Sequence, residues 1–309
     1  MIRSNGGLYF LPWAFEESDT MIKIKDDIFA DDLMLFLKTG RWKVGIIADT
    51  HIGFIRNLNK RGILIEDNQA DELIGSIGQS VKILTGKNLG NERKLDLFII
   101  DGDFFHEFSK IDDWVMESAR KVIRFILTFS RELIIIKGNH DKIIRELFND
   151  LAKGLPVRLE DSVEINGFLV CHGDRIIEPE TKIHTTIIGH EHPAIRLYSK
   201  TRYEEFKAFL SGKDMIVLPS ANRMIEGHDI LRERCISPYL SGLEAGEFMD
   251  LEVYLSTGSS TGNAGKKKDN VTLAYFHRIS DILKTQPKDY PDHPAESMRT
   301  HKMRTHKKT

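Results

Sequence analysis

The chain has 309 residues, a formal net charge of −2, 41% hydrophobic and 29% charged residues. This is ordinary globular composition with enough length for a sizeable core, and it excludes both a wholesale polycation that coats nucleic acid and a largely disordered chain. Two cysteines, Cys171 and Cys235, are too few for a disulfide framework and fit a reducing, cytoplasmic setting, and no apolar run reaches the roughly 18 to 20 residues of a membrane helix.

In chain order, Met1 to Phe15 reads as a surface strand and not as a signal peptide, because Pro12, Glu16, Glu17 and Asp19 follow the apolar Leu8-Tyr9-Phe10-Leu11. Residues 1–40 are expected to form an N-terminal strand/helix extension. Short runs rich in Ile, Leu and Val predict buried strands at Val44–Ala48, Leu95–Ile100, Leu133–Ile136, Phe168–Cys171, Thr185–Ile188 and Met215–Leu218. Helical periodicity lies between them, at Ala70–Leu84, Asp113–Phe129 and Ile143–Leu151. Strand and helix alternate first, and mostly strands follow, which implies a layered α/β core over residues 41–245. Alternation over Met249–Leu255 and Val271–Ile279, with the Lys266-Lys267-Lys268 loop between, predicts a C-terminal β-hairpin at 246–284. Residues 285–309 read as a disordered basic tail that closes on two copies of Met-Arg-Thr-His-Lys.

Five small motifs follow predicted strands: Asp49-Thr50-His51, Gly102-Asp103, Gly138-Asn139-His140-Asp141, His172-Gly173 and Gly189-His190-Glu191-His192. Ligands collect outside the carboxyl ends of strands in such sheets. Carboxylate, imidazole and amide oxygen together suit Mn²⁺, Fe or Zn²⁺, with Ni also admitted, better than an all-oxygen Mg²⁺ or Ca²⁺ site. Alternate residues of an extended segment point the same way, so Asp49 and His51 can reach one ion, and His190 and His192 two adjacent ions. Glycine ahead of Asp103, Asn139 and His190 lets the backbone turn sharply and approach a ligand closely. Each motif alone is weak, and a lone histidine such as His184 or His277 reads as structural; the five in this order are a different matter.

Together the five motifs resemble the signature of the calcineurin-like metallophosphoesterases over roughly Lys43 to Ala221. The resemblance implies a four-layer fold, a central β-sandwich flanked by helices, with two metals at the strand ends. It further implies that Asp49, His51, Asp103 and His192 hold the first metal, that Asp103 bridges, that Asn139, His172 and His190 complete the second, and that His140 lies beside the phosphate. Asp101 to Glu107, Gly189 to Ile195, Leu218-Pro219-Ser220 and Ser237-Pro238-Tyr239-Leu240 are similar to the archaeal SbcD-related phosphoesterases and the bacterial ligase-associated DNA-damage endonuclease. The Ser/Thr protein phosphatases differ: they follow Gly-Asp with Asp-Arg-Gly and end the third motif in Glu, where this chain has His106 and Asp141.

The expected activity is hydrolysis of phosphodiester bonds in DNA or RNA by hydroxide held between two divalent ions, Mn²⁺ first among them. Nucleic acid is then the substrate, a helicase or ligase partner is admitted, and no membrane is involved. The competing readings are a small-molecule phosphodiesterase or pyrophosphatase, and a metal-bearing scaffold without turnover. Three residues are expected around the reaction: His140 against the phosphoryl oxygens, Asp141 either orienting the His140 ring or capping a helix, and His106 touching substrate or packing. Asp101 reads as a loop hydrogen-bonder, and Cys171 as a buried residue turned away from His172. Arg175 reads as a phosphate ligand or a surface ion pair.

Overall fold

The computed structural model describes residues 2–4, 7–9, 21–85, 95–106, 111–198, 203–257 and 273–285. The Lys266–Lys268 loop, the basic tail and most of Met1 to Phe15 lie outside these residues. Strands β1 (Ile2–Ser4) and β2 (Gly7–Tyr9) pair antiparallel with each other.

Seven strands form the first sheet in sequence order: β3 (Ile22–Lys25), β4 (Ile28–Asp31), β5 (Met34–Thr39), β6 (Trp42–Ala48), β7 (Leu97–Asp101), β8 (Leu133–Ile136) and β9 (Val157–Glu160). The pairs from β3 to β6 are antiparallel, and those from β6 to β9 parallel. Parallel neighbours need crossovers, and four helices supply the three of them: α1 (Phe54–Lys60) with α2 (Gln69–Thr85), then α3 (Asp113–Phe129), then α4 (Ile144–Leu151). Helix α3 keeps its predicted bounds because Asp112 caps it, its carboxylate accepting from the Val115 amide at 3.1 Å. Its apolar stripe, Val115, Met116, Ala119, Val122, Ile123 and Ile126, is buried against the sheet at helical spacing.

The second sheet holds β10 (Ser162–Ile165), β11 (Phe168–Cys171), β12 (Thr185–Ile188), β13 (Pro193–Tyr198), β14 (Tyr203–Ser211), β15 (Met215–Val217), β16 (His228–Asp229), β17 (Glu252–Ser256) and β18 (Leu273–Arg278). Its spatial order is β10-β11-β12-β15-β14-β13-β16, with β17 on β14 and β18 on β17; β11, β12 and β15 run parallel. Short helices α5 (Pro238–Ser241), α6 (Ala245–Met249) and α7 (Ile279–Thr285) follow on its outer side.

Strict alternation sorts the strands into a four-layer sandwich. Val44, Ile46, Leu97, Ile99, Ile134 and Ile136 of the first sheet meet Phe168, Val170, Ile187, Phe209 and Ile216 of the second in the central core. The intervening residues Ile47, Phe98, Ile100 and Ile135 face α2, α3 and α4. Leu169, Cys171, Ile188, Val217 and Val253 face the outer layer with Phe248 and Ile282. Each fully buried side chain of this size contributes roughly 1.5–3 kcal/mol, so all three interfaces hold the layers in register.

Two expectations are corrected. No helix lies among the described residues of 21–40; three antiparallel strands there extend the first sheet instead. Met249 ends helix α6 and does not begin a strand, because Glu244 and Glu247 form a capping box, so β17 starts at Glu252.

A polar network fastens the two sheets at one end. Asp32, buried and at φ 52°, accepts from Ser76 of α2 at 2.6 Å and from Ser256 of β17 at 2.9 Å, and also pairs with Arg223. Asp32→Ala would leave two hydroxyls and a mostly buried guanidinium without their acceptor. The expected loss is about 3 kcal/mol of unfolding free energy in urea titration, and an unchanged midpoint would show that the network does not tie the sheets.

Candidate metal centre

Parallel strands β6, β7 and β8 end at Ala48, Asp101 and Ile136, and β11 and β12 end at Cys171 and Ile188. The five motifs begin at or just past these ends and meet where the two sheets touch, with the Ala221 amide donating to the Ala48 carbonyl at 2.8 Å. The first sheet carries Asp49, His51, Asp103 and Asn139; the second carries His172, His190 and His192.

The donor atoms gather into two groups. Those of Asp49, His51 and His192 lie within 4.8 Å of one another, as do those of Asp103, His172 and His190. Nε2 of His51 faces Nε2 of His192 at 3.4 Å, and Asp49 Oδ2 stands 3.4 Å from His192 Nε2. In the second group His172 Nε2 is 3.0 Å from Asn139 Oδ1 and 3.2 Å from His190 Nδ1. Asp103 lies between the groups, with Oδ2 3.7 Å from His51 Nε2 and Oδ1 3.5 Å from His172 Nε2.

Backbone strain accompanies this convergence. Asp49, His51, Asp103, His190 and His192 all have φ between 39° and 62°, a left-handed region that costs a non-glycine residue about 1–2 kcal/mol. Close approach is as demanding: a Cβ on Gly102 would stand 1.9 Å from His172 Nδ1, and one on Gly138 2.1 Å from Asp103 Oδ1.

Burial sets the protonation states. It drives the His51 imidazole down to about 2 and the His172 imidazole to about 4, so both rings are neutral with a lone pair available, the form that binds a metal. Burial alone would raise the Asp49 carboxyl, but the imidazoles of His192, His172 and His51 carry it below the ordinary range. Asp103 and Asp101 are raised by burial and by the Asp49 charge. Asp49 Oδ1, His51 Nδ1 and His172 Nδ1 are buried without a hydrogen-bond partner. Acceptor atoms facing one another in a dry site are costly unless cations lie among them, so the donor set fits two divalent ions.

His140 sits at the open side, its side chain 25% exposed, with Nε2 3.9 Å from Asp103 Oδ2 and Nδ1 3.3 Å from the His106 carbonyl. That carbonyl, not Asp141, meets the His140 ring. Asp141 instead accepts the amides of Phe104, Phe105 and Gly138, each at 3.0 Å, and joins the second motif to the third; the helix cap is Ile143. His106 is brought to the site: its donor atoms group with those of His51 and His140, and Phe54 packs edge-on to its ring at 5.0 Å. Arg175 pairs with Asp161 at 3.1 Å. Cys171 faces the outer layer, 3.5 Å from the Tyr239 hydroxyl.

Three supporting residues escaped sequence reasoning. Gln69 donates to the Thr50 and His51 carbonyls and accepts the Gly53 amide, so it holds the first motif in its turn. Ser220 donates to the Asp49 carbonyl at 2.8 Å. Glu191, fully buried and raised to about 7 by that burial, accepts the Ile236 and Ser237 amides and anchors the loop of His190 and His192. A carboxylate between two alternating ligands must face the other way, which is the one signal the sequence offered.

The model of the calcineurin-like phosphoesterase family matches residues 43–221. No curated protein matches the chain. Among solved structures, the crystal structure of the Pseudomonas putida nuclease MPE is similar with a TM-score of 0.50 and 16% identity, over 78% of this chain and 96% of that one. At that identity the likeness is one of fold.

Gly138→Ala would drive a methyl into the Asp103 carboxylate and is expected to abolish tight metal binding, read by metal analysis after dialysis, with far-UV circular dichroism unchanged. Gly75→Ala is the control, since a Cβ there meets nothing within 4 Å. Full metal content in Gly138→Ala would refute the packing argument.

Proposed function

This chain belongs to the calcineurin-like phosphoesterase family, and we propose that it hydrolyses phosphodiester bonds of nucleic acid with two divalent ions, Mn²⁺ foremost. In this proposal Asp49, His51, Asp103 and His192 hold one ion and Asp103, Asn139, His172 and His190 the other. The observation that carries it is Asp103, whose two carboxylate oxygens face the two imidazole groups separately, at 3.7 and 3.5 Å. The fold shared with the Pseudomonas putida nuclease MPE favours nucleic acid as the substrate class.

When bound, two such ions supply Lewis acidity toward a phosphoryl oxygen and lower the pKa of water to near neutrality. The protein's own groups do the rest. His140 is held between the His106 carbonyl and the Asp103 carboxylate, on the side where substrate enters. Donation from Nδ1–H to that carbonyl fixes the ring, so that in its protonated form it presents Nε2–H to the phosphoryl oxygens or the leaving oxygen as charge develops. Asp141 keeps that loop in place through three amides, so its role is positioning. His106 and Phe54 form the wall of the entrance beside His140.

The test is Mn²⁺-dependent cleavage of a chromogenic phosphodiester, a monoester and a labelled single-stranded oligonucleotide. His140→Ala is expected to lose about 100- to 1,000-fold in kcat while retaining its metal, as for removal of one charge-stabilising donor. Asp103→Asn is expected to lose activity together with bound metal. Cleavage of the small ester alone would redirect the reading to small-molecule hydrolysis, and metal-loaded protein that cleaves nothing would sink it.

A further inference from the structure

A second cluster of charge stands beside the metal centre and takes no part in it. Asp161, just past the end of β9, is ringed by three cations: Lys137 Nζ at 2.5 Å, Arg175 Nη2 at 3.1 Å and Arg145 Nη2 at 3.7 Å. One carboxylate cannot neutralise three cations. The group therefore keeps an excess of two positive charges, and the three cations hold the Asp161 carboxyl below its ordinary range. Lys137 is largely buried, its side chain 13% exposed, whereas Arg145 and Arg175 reach into solvent at 69% and 60%. A largely buried lysine behind two exposed guanidiniums is a built arrangement and not a scatter of surface charges.

Its position follows from the chain. Lys137 directly precedes Gly138-Asn139-His140, Arg145 lies in the first turn of α4 after the same loop, and Arg175 is three residues past His172. The Lys137 amide donates to the Glu160 carbonyl at 3.0 Å, which sets Asp161 at the carboxyl end of the sheet, one strand beyond the third motif. Two strand spacings, about 10 Å, separate the end of β9 from that of β7, where Asp103 sits. The Asp174 charge, by contrast, is felt at Asp101, Asp103 and His172, on the metal side.

We infer that Lys137, Arg145 and Arg175 form a backbone-phosphate subsite for a nucleic-acid strand whose scissile phosphate lies at the metal centre. Asp161 occupies the place of that phosphate when no strand is bound. The inference rests on the proposed nuclease reading and deepens it, because a single phosphoester too short to span the gap gains nothing from the subsite. A guanidinium pair with a lysine behind it suits phosphate oxygens, which accept in fork geometry and carry no base information.

The experiment has two readouts. Anisotropy of a labelled single-stranded DNA oligonucleotide, without added divalent ion, reads binding free of turnover; Mn²⁺-dependent hydrolysis of a chromogenic diester reads the metal centre alone. The double variant Arg145→Ala/Arg175→Ala is expected to weaken oligonucleotide binding and to flatten the log K against log salt slope by about 1.4, at about 0.7 per cation for a single strand, with diester hydrolysis unchanged. Asp161→Asn is expected to do the opposite to binding, tightening it several-fold. Unchanged or weaker binding in Asp161→Asn, an unchanged slope in the double variant, or wild-type protein that fails to bind the oligonucleotide at low salt each overturns the subsite. Failure of wild-type protein to hydrolyse any diester would instead overturn the proposed activity and leave the binding result standing.

Discussion

Everything around the site follows from one electrostatic constraint: carboxylates and imidazoles are packed into a nearly dry pocket with their acceptor atoms facing inward. Asp49 and Asp103 are both buried, and His51 and His172 are held neutral beside them. Like charges and lone pairs at such distances repel, so the protein must hold them against that repulsion until cations supply the opposite sign. Rigid elements hold them. The amides of His140 and His190 bond the Asp103 and Asp49 carboxylates, Gln69 and Ser220 fix the first motif, and Glu191 fixes the last. Five candidate ligands in left-handed backbone are the conformational cost of this arrangement, and the three packed cores bear it.

Much of this was legible in the sequence, and the boundary of what was legible has a physical cause. Buried parallel strands read as continuous apolar runs, so Phe168–Cys171, Thr185–Ile188 and Leu133–Ile136 emerge with their bounds intact. Helix α3 reads equally well, because its cap and its stripe are both local. Strands β13 and β14 did not read at all. Tyr203–Ser211 carries Glu204, Glu205 and Lys207 in a strand that is mostly buried, and Glu205 and Lys207 are satisfied by tertiary partners invisible in one dimension. Lys207, for instance, bonds the Ile225 carbonyl at 2.8 Å.

The site divides in the same way. The motifs name the groups that converge in the site, because residue type and strand-end position are local properties. Which group orients which is a matter of three-dimensional packing, and there the sequence misleads: Asp141 follows His140 directly yet bonds three backbone amides, while a backbone carbonyl from the second motif meets the His140 ring. A short aspartate in a tight loop finds nearby amides more readily than the neighbouring side chain, which projects the other way.

The candidate ligands come from both sheets, and this fixes how the site depends on the rest of the molecule. Asp49, His51, Asp103 and Asn139 move with the first sheet, and His172, His190 and His192 with the second. The separation between the halves of each donor group is therefore set by the thickness of the central core, where Ile46, Ile99 and Ile134 meet Val170 and Ile187. Interiors packed at crystal-like density transmit a changed methylene as a shift of whole layers. A substitution deep in that core, with no contact to any ligand, alters the distance across the metal centre before it unfolds the protein. Stability of the sandwich and the spacing of the donor groups are thus two readings of one packing, and the sheet-to-sheet tie at Ala48 and Ala221 is where they are joined.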